Sequence, residues 1–402
     1  MTKSTSSGDR LLDGVRVLDL SRVMSGPFCT AMLADLGAEV IKIEMPNAGD
    51  DGRHFGPYID GESAYFMLLN RGKKSLTLNL KSDRGRAILE ALVKSSDVLI
   101  ENFRPGVADR LGIAHSALRS LNPKLIYASI SGFGQEGPLA DRPAYDLVVQ
   151  AMSGLMDVTG QRDGPPTAIG ESMADVCAGM FAAWGISTAL FDRERTGKGR
   201  HLDIAMLDSM FSMMLTVLGL QLYSDRAPVR VGSRHPVTDP FDAFETKDGH
   251  VVMVVTSDRG FGAFCKAIGQ SELSEDDRFR TNADRNANED ALKSIIEAWT
   301  SGRSAAEVVE AMDAAGIPAA PVLSLGDVAG SEHIASRQMI SKVQHSTLGD
   351  IPLVPQPVKF SEAVQSSLRP PPALGEHTRE LLESLLKLDK SEIQALADDN
   401  VI

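Results

Sequence analysis

The chain has 402 residues, 43% of them hydrophobic and 24% charged, values of a folded globular protein rather than a disordered one. With 41 basic against 54 acidic residues the formal charge is −13, which argues against a nucleic-acid-binding or anionic-membrane-binding surface. An anionic ligand would need a local cluster of Arg, Lys and backbone N–H groups.

Three scattered cysteines, Cys29, Cys177 and Cys265, form no C-x-x-C pair, so a reducing, cytoplasmic setting is expected and a disulfide framework is not. The run Met1–Arg10 has no apolar region and carries an acid, unlike a signal peptide. The longest uncharged stretches, Val176–Phe191 and Ser209–Tyr223, read as buried helices shorter than a membrane span. The eight histidines show no ligand spacing, so no metal site is expected.

In chain order, Val15–Leu20 alternates like a strand, a helical pattern runs through Phe28, Met32, Leu33 and Leu36 to Gly37, and Val40–Ile43 is a second strand. Strand, helix and strand in about thirty residues make a βαβ unit and imply a parallel sheet. The pattern recurs. Ser75–Leu80 is strand-like, Arg84–Val93 is helical, and Val98–Ile100 and Leu125–Ile130 are buried strands. The fold class expected is α/β, a doubly wound, largely parallel, Rossmann-like sheet. Apolar helices are expected from Ala174 and across Met206–Leu222, inside a core or at an oligomer interface. Ser224–Pro240, with three prolines, reads as a linker. A hairpin follows (Phe241–Thr246, Lys247-Asp-Gly249, Val251–Val255), then helices over Asn286–Thr300 and Ala305–Ala314, a strand at Pro318–Leu323 and a short β region over Lys342–Phe360. The domains expected are 1–223, a large α/β part, 224–325, a small α+β domain, and 326–402, a return segment.

Two familiar sites fail on chemistry. The loop after the first strand offers Gly26 and Pro27 in place of the G-x-G-x-x-G that a dinucleotide pyrophosphate needs. Gly170-Glu-Ser-Met-Ala174 lacks the last glycine and the preceding strand of a nucleophile elbow, so Ser172 is not expected to be a nucleophile. Asp175 has two readings. At the head of an uncharged helix a carboxylate can be a plain N-cap, or an ionised nucleophile beside a dry apolar wall. Arg22, Lys81, Arg104 and Arg110 fall near the carboxyl ends of strands, where open α/β sheets bind ligands, and together can hold a polyphosphate.

The chain resembles the class III coenzyme A transferases, the group that includes formyl-CoA and carnitine CoA-transferases. The resemblance is carried by Asp19-Leu-Ser-Arg-Val-Met-Ser-Gly-Pro-Phe-Cys-Thr30, Leu36-Gly-Ala-Glu-Val-Ile-Lys-Ile-Glu44, Asn70-Arg-Gly-Lys-Lys-Ser75 and Glu101-Asn-Phe-Arg-Pro-Gly106. It continues through Gly164-Pro-Pro166, Met173-Ala-Asp-Val-Cys-Ala-Gly179, Arg195-Thr-Gly-Lys-Gly-Arg200 and Leu374-Gly-Glu-His-Thr378. It implies Asp175 as the catalytic residue, working through an acyl-aspartyl anhydride and an aspartyl-CoA thioester, with no permanently bound cofactor. It implies CoA contacts at Val23, Met24, Ser25, Leu78, Lys81, Asn102, Phe103, Arg104, Arg110 and Tyr145, and an interlocked homodimer. Substrate contacts are expected from Arg22, Asp146 and His235. Met45 and Pro143 replace an arginine and a lysine of the formyl-CoA transferases, and the glycine-run lid is missing from Ser224–Leu325, which turns the expectation away from oxalate and formate. Arg142–Asp146 and Gly232–Pro236 look closer to members using succinyl-CoA or a related dicarboxyl-CoA with a carboxylic acid acceptor. The sister branch of α-methylacyl-CoA racemases uses a histidine where Tyr145 stands, and a phenol of pKa near 10 is a poor base at neutral pH, so transferase is expected over racemase. A non-catalytic CoA-binding protein is the remaining alternative.

Overall fold

The computed structural model describes residues 10–225, 227–361 and 368–402. The chain divides into two compact units, one of residues through Ser153 with Gly170–Met213 and Glu332–Ile402, the other of Gly154–Ile169 with Met214–Ser331.

The first unit is built on six strands: β1 (Arg16–Asp19), β2 (Glu39–Glu44), β3 (Lys74–Thr77), β4 (Val98–Glu101), β5 (Ile126–Ser131) and β6 (His201–Ala205). All pair in parallel, in the order β3-β2-β1-β4-β5-β6. The central strands are buried nearly throughout because both faces are covered. On one face Leu18, Ile41, Leu76, Leu99 and Tyr127 meet Ile88, Leu89 and Leu92 of the helix Asp83–Val93. The same core takes Leu381, Leu382, Ile393 and Leu396 from the helices Thr378–Leu386 and Lys390–Asp398, far along the chain. The helices Ser25–Asp35 and Met173–Thr196 pack against one another in this unit, and the second also lies along β5 and β6. The sheet order reverses between β1 and β4, and the loops that leave those two strands open a crevice where such sheets bind ligands.

The floor of that crevice is ionic. Lys73 and Asp19, both buried, pair at 2.9 Å, and Lys73 Nζ also donates to Asn70 Oδ1 and the Pro27 carbonyl. Buried Lys42 pairs with Asp50 at 2.7 Å and donates to the Ser21 carbonyl. Burial would raise the Asp19 carboxyl, but the Lys73 and Lys42 charges and the Ser21 and Thr30 hydroxyls hold it below the ordinary carboxylate range.

The second unit carries the hairpin Phe241–Thr246 and Gly249–Val254, with Thr246 opposite Gly249, and a third antiparallel strand, Ala319–Pro321. Its core joins Phe244, Val251, Met253, Phe264, Leu292, Ile296, Val308 and Met312 from this sheet and the helices Asp258–Ala267, Glu289–Thr300 and Ala305–Ala314.

Several expectations change. The division falls at 213/214 and 331/332 rather than 223/224 and 325/326, and 154–169 goes with the second unit. Met206–Leu222 is two helices, Met206–Met213 and Leu215–Tyr223, because Met214 leaves helical geometry at φ −87°, ψ 41°. The Asp175 helix runs 24 residues and is long and apolar enough to cross a membrane. Its apolarity has a second source: Ala174, Cys177, Ala178, Ala182 and Ile186 are core residues, while Trp184 and Phe191 stay exposed.

The ion pair under the crevice sets a first test. Lys73→Met leaves Asp19 buried without its ion-pair partner and is expected to cost about 3–5 kcal/mol, read from the urea midpoint of the purified protein.

Candidate active site

Asp175 lies at the third position of its helix, which begins at Met173 after an N-cap residue, Ser172, whose side chain makes no capping bond. The cap comes from elsewhere. Asp146 Oδ1 accepts the Ala174 N–H at 2.7 Å and the Asp175 N–H at 3.2 Å, and Gln150 Nε2 donates to the other Asp146 oxygen at 2.6 Å. Asp146 thus meets the free N–H groups and positive end of the helix, the task that one reading of the sequence gave to Asp175 itself. Asp146, expected to touch substrate, is occupied in this way.

The Asp175 carboxylate is left free to face the Ser25 helix, where the Ser25 hydroxyl and N–H act to lower its pKa. Gly179 makes that approach possible: a Cβ there would stand 2.6 Å from the Ser25 carbonyl oxygen. Burial first, then the Asp146 carboxylate, pushes the Asp175 carboxyl up to about 7, with the Ser25 bonds working the other way. The helix end that could keep Asp175 ionised thus works against a second negative charge, which the cap itself brings.

The turn that delivers Ser25 is strained. Val23, a β-branched residue, sits at φ +66°, and its N–H is held by Asp50 Oδ1 at 2.9 Å. Asn102, at the end of β4, brackets Arg22 with two bonds, accepting its N–H at 2.8 Å and donating to its carbonyl at 2.7 Å. Asn102 also donates to Ser25 Oγ at 3.2 Å.

Two cavities meet at this turn. One, of about 160 Å³, is lined by Asp175 with Val23, Ser25, Asn102, Arg104, Arg142 and Tyr145. The other, of about 270 Å³, is lined by Leu78, Lys81, Met45, Leu80 and Val107. Arg22 and Phe103 line both, with the Arg22 guanidinium 5.6 Å over the Phe103 ring. Eight of the ten residues expected to contact CoA therefore border this continuous trough. Met24 lines a separate, largely apolar cavity with Phe28 and Tyr65, and Arg110 lines neither arm of the trough. His235 belongs to the second unit, stacked on Phe241 with ring centres 4.9 Å apart.

Sequence reasoning missed Tyr65, whose phenol is pushed up by burial and then by Asp175 and its acidic neighbours. It also missed Arg142 as a cavity residue. Neither stands in a spacing that marks it. Among the described residues no group of three or more His, Cys, Asp or Glu side chains is placed to hold a metal ion.

A parallel α/β sheet with a carboxylate facing a strained loop at its switch point defines a ligand-binding enzyme of the open-sheet class. The family model for CoA-transferase family III matches residues 12–378, and the chain belongs to that family as an enzyme of the CoA-transferase type. It is 47% identical to an acetyl-CoA:oxalate CoA-transferase of Acetobacter aceti, over 90% of this chain and 92% of that protein. It is 39% identical to a succinyl-CoA:glutarate CoA-transferase of Mus musculus, over 97% of this chain and 90% of the relative. A crystal structure of a CAIB/BAIF family protein from Brucella suis matches with a TM-score of 0.82 at 36% identity, over 94% of this chain and all of that one.

Asp146→Asn keeps an oxygen to accept the two helix N–H groups and removes the charge. The Asp175 pKa, followed by 13C NMR of labelled carboxyls, is expected to fall below about 7 in that variant.

Proposed function

We propose that the protein moves CoA from an acyl-CoA, succinyl-CoA or a similar short donor, to a dicarboxylic acid, with Asp175 as the nucleophile. The observation that carries this reading is the placement of the Asp175 carboxylate: half-buried, set against Ser25, and opening into a trough whose other arm holds Lys81. The nucleotide of CoA occupies the Lys81 arm and the pantetheine chain passes Phe103 and Asn102. The thioester then reaches Asp175. The relatives named for oxalate and for glutarate both act on dicarboxylic acids, which supports that acceptor class.

The chemistry is covalent. The Asp175 carboxylate adds to the thioester carbonyl and expels CoA thiolate, leaving a mixed anhydride. The thiolate adds to the aspartyl carbonyl and expels the donor's carboxylate, leaving an aspartyl-CoA thioester. The acceptor carboxylate displaces the thiolate to form a second anhydride, and the thiolate attacks its acyl carbonyl, releasing product and restoring Asp175. A carboxyl whose pKa is raised toward 7 is more basic, and so a better nucleophile, than an exposed one, provided the pH leaves it ionised. The positive end of the Ser25 helix is the nearest stabiliser for the oxyanions. No histidine lines the Asp175 cavity among the described residues, and Tyr145 stands there instead, which favours transfer over racemisation.

We also read the working form as a cytoplasmic, interlocked homodimer. Exposed Trp184 and Phe191 on the Asp175 helix, and exposed Leu215 and Tyr223 in the second unit, give a partner copy apolar surface to cover. The three cysteines are free and buried, which fits a reducing compartment.

Incubation with donor alone is expected to add the mass of CoA to the peptide carrying Asp175, and hydroxylamine to inactivate the enzyme only when donor is present. Asp175→Ala is expected to lose both adduct and turnover, by about 10⁴-fold or more. An unmodified Asp175 peptide under conditions of active transfer refutes the covalent route. Because the ionised form attacks, kcat/KM is expected to rise with pH through about 7 and level above it.

A further inference from the structure

The loop between β5 and the helix Asp146–Met152 is pressed onto the end of the sheet. Gly132 leaves room for it, since a Cβ there would stand 2.2 Å from the Cβ of Ala144. A turn at Leu139–Arg142 is closed by the Arg142 N–H donating to the Leu139 carbonyl at 2.9 Å. Ala140, Arg142, Ala144 and Tyr145 then form one wall of the Asp175 cavity.

Three arginines line that cavity, and of these Arg22 is already engaged. Arg22 is paired with Asp51 at 3.2 Å and stacked over Phe103. Arg104, next to Phe103, is like Arg142 an exposed residue that borders the Asp175 arm and not the Lys81 arm. Arg142 borders the Asp175 arm and not the Lys81 arm, and among the described residues its guanidinium has no hydrogen-bond or ion-pair partner.

The charge of CoA decides what such a group can meet. All of its negative charge lies on the nucleotide phosphates, and the pantetheine arm is neutral. Arg142 is exposed, and with the nucleotide in the Lys81 arm the part of CoA that reaches Asp175 carries no anion, so an anion that Arg142 meets in this cavity belongs to the acyl group or the free acid. We infer that Arg142 binds the second carboxylate of a dicarboxylic acid seated in the acyl site, and so sets the choice of diacid over monoacid. This rests on the Asp175-centred transfer proposed above and names the residue that reads the acid. A guanidinium can take such a carboxylate through two parallel N–H bonds.

Glutarate and valerate have the same chain and differ only at the far end, carboxylate against methyl. With succinyl-CoA as donor, kcat/KM for the acceptor reports the half-reaction with the acid. In Arg142→Gln the glutarate-to-valerate ratio of kcat/KM is expected to fall by about 10- to 100-fold, through the KM for glutarate, and in Arg142→Lys by less. A ratio within twofold of wild type, or an equal loss for both acids, overturns the inference. So does a wild-type enzyme that uses both acids equally well. The CoA adduct at Asp175, formed with donor alone, judges the nucleophile separately: its absence brings down the transfer reading, while its presence with an unmoved ratio brings down only the role of Arg142. If Arg142→Gln does not fold, Arg142→Lys carries the same comparison.

Discussion

A lysine ammonium with no access to water is the constraint on which the ligand crevice rests. Lys73 can be buried only because Asp19, Asn70 and the Pro27 carbonyl take up its N–H groups, and this ties the end of β1, the Ser25 helix and the start of β3 to one point. Lys42 does the same for the Ser21 carbonyl and Asp50, and Asp50 in turn holds Val23 at its unfavourable backbone angle. Such pairs contribute little net energy once desolvation is counted, but a displaced partner is costly, so they fix geometry. The geometry fixed here is the turn that sets Ser25 against Asp175. The same device recurs along the sheet edge: Asp19, Glu101 and Asp203 each accept a loop N–H, from Ser21, Phe103 and Gln135, at 2.8–3.0 Å.

Much of the fold was legible because its signals are local. Buried parallel strands read as short apolar runs, and β1 to β5 fall within a few residues of those runs. The Lys247-Asp-Gly249 turn announced its hairpin in the same way. Asp175 was legible through its helix-head position and its motif. What the sequence withheld depends on groups meeting across long separations. Asp146 is 28 residues from the N–H it caps, so nothing near Asp175 reveals either the cap or the repulsion that raises its pKa. Lys42 and Lys73 look like strand-edge surface charges until the sheet order brings Asp50 and Asp19 to them. Segment 154–169 has no composition that would assign it to the second unit, and the break at Met214 interrupts an unbroken apolar pattern without a proline or glycine at the site.

The covalent route proposed above asks a site to do two opposed things: keep a carboxylate basic enough to attack a thioester, and hold it still enough to be attacked in turn. Asp146 serves the first by its charge and the second by its bonds to the helix. Gly179 serves the second by bringing two helices to backbone contact, so the Ser25–Asp175 spacing does not depend on an intervening side chain.

The long reach of the first unit's core has a consequence for how the chain is made. Leu381, Leu382, Ile393 and Leu396 cover strands synthesised about 300 residues earlier, and Thr77 bonds to Thr378 across 301 positions. At roughly 5–20 residues per second, those strands wait on the order of 15–60 s for the helices that close over them. The whole of the second unit emerges within that interval, with its own core of Phe244, Phe264 and Leu292 complete before the older sheet is sealed. The nascent chain therefore carries a finished later unit beside an unfinished earlier one, and during that interval the unsealed face of the sheet is the surface a molecular chaperone would have to guard.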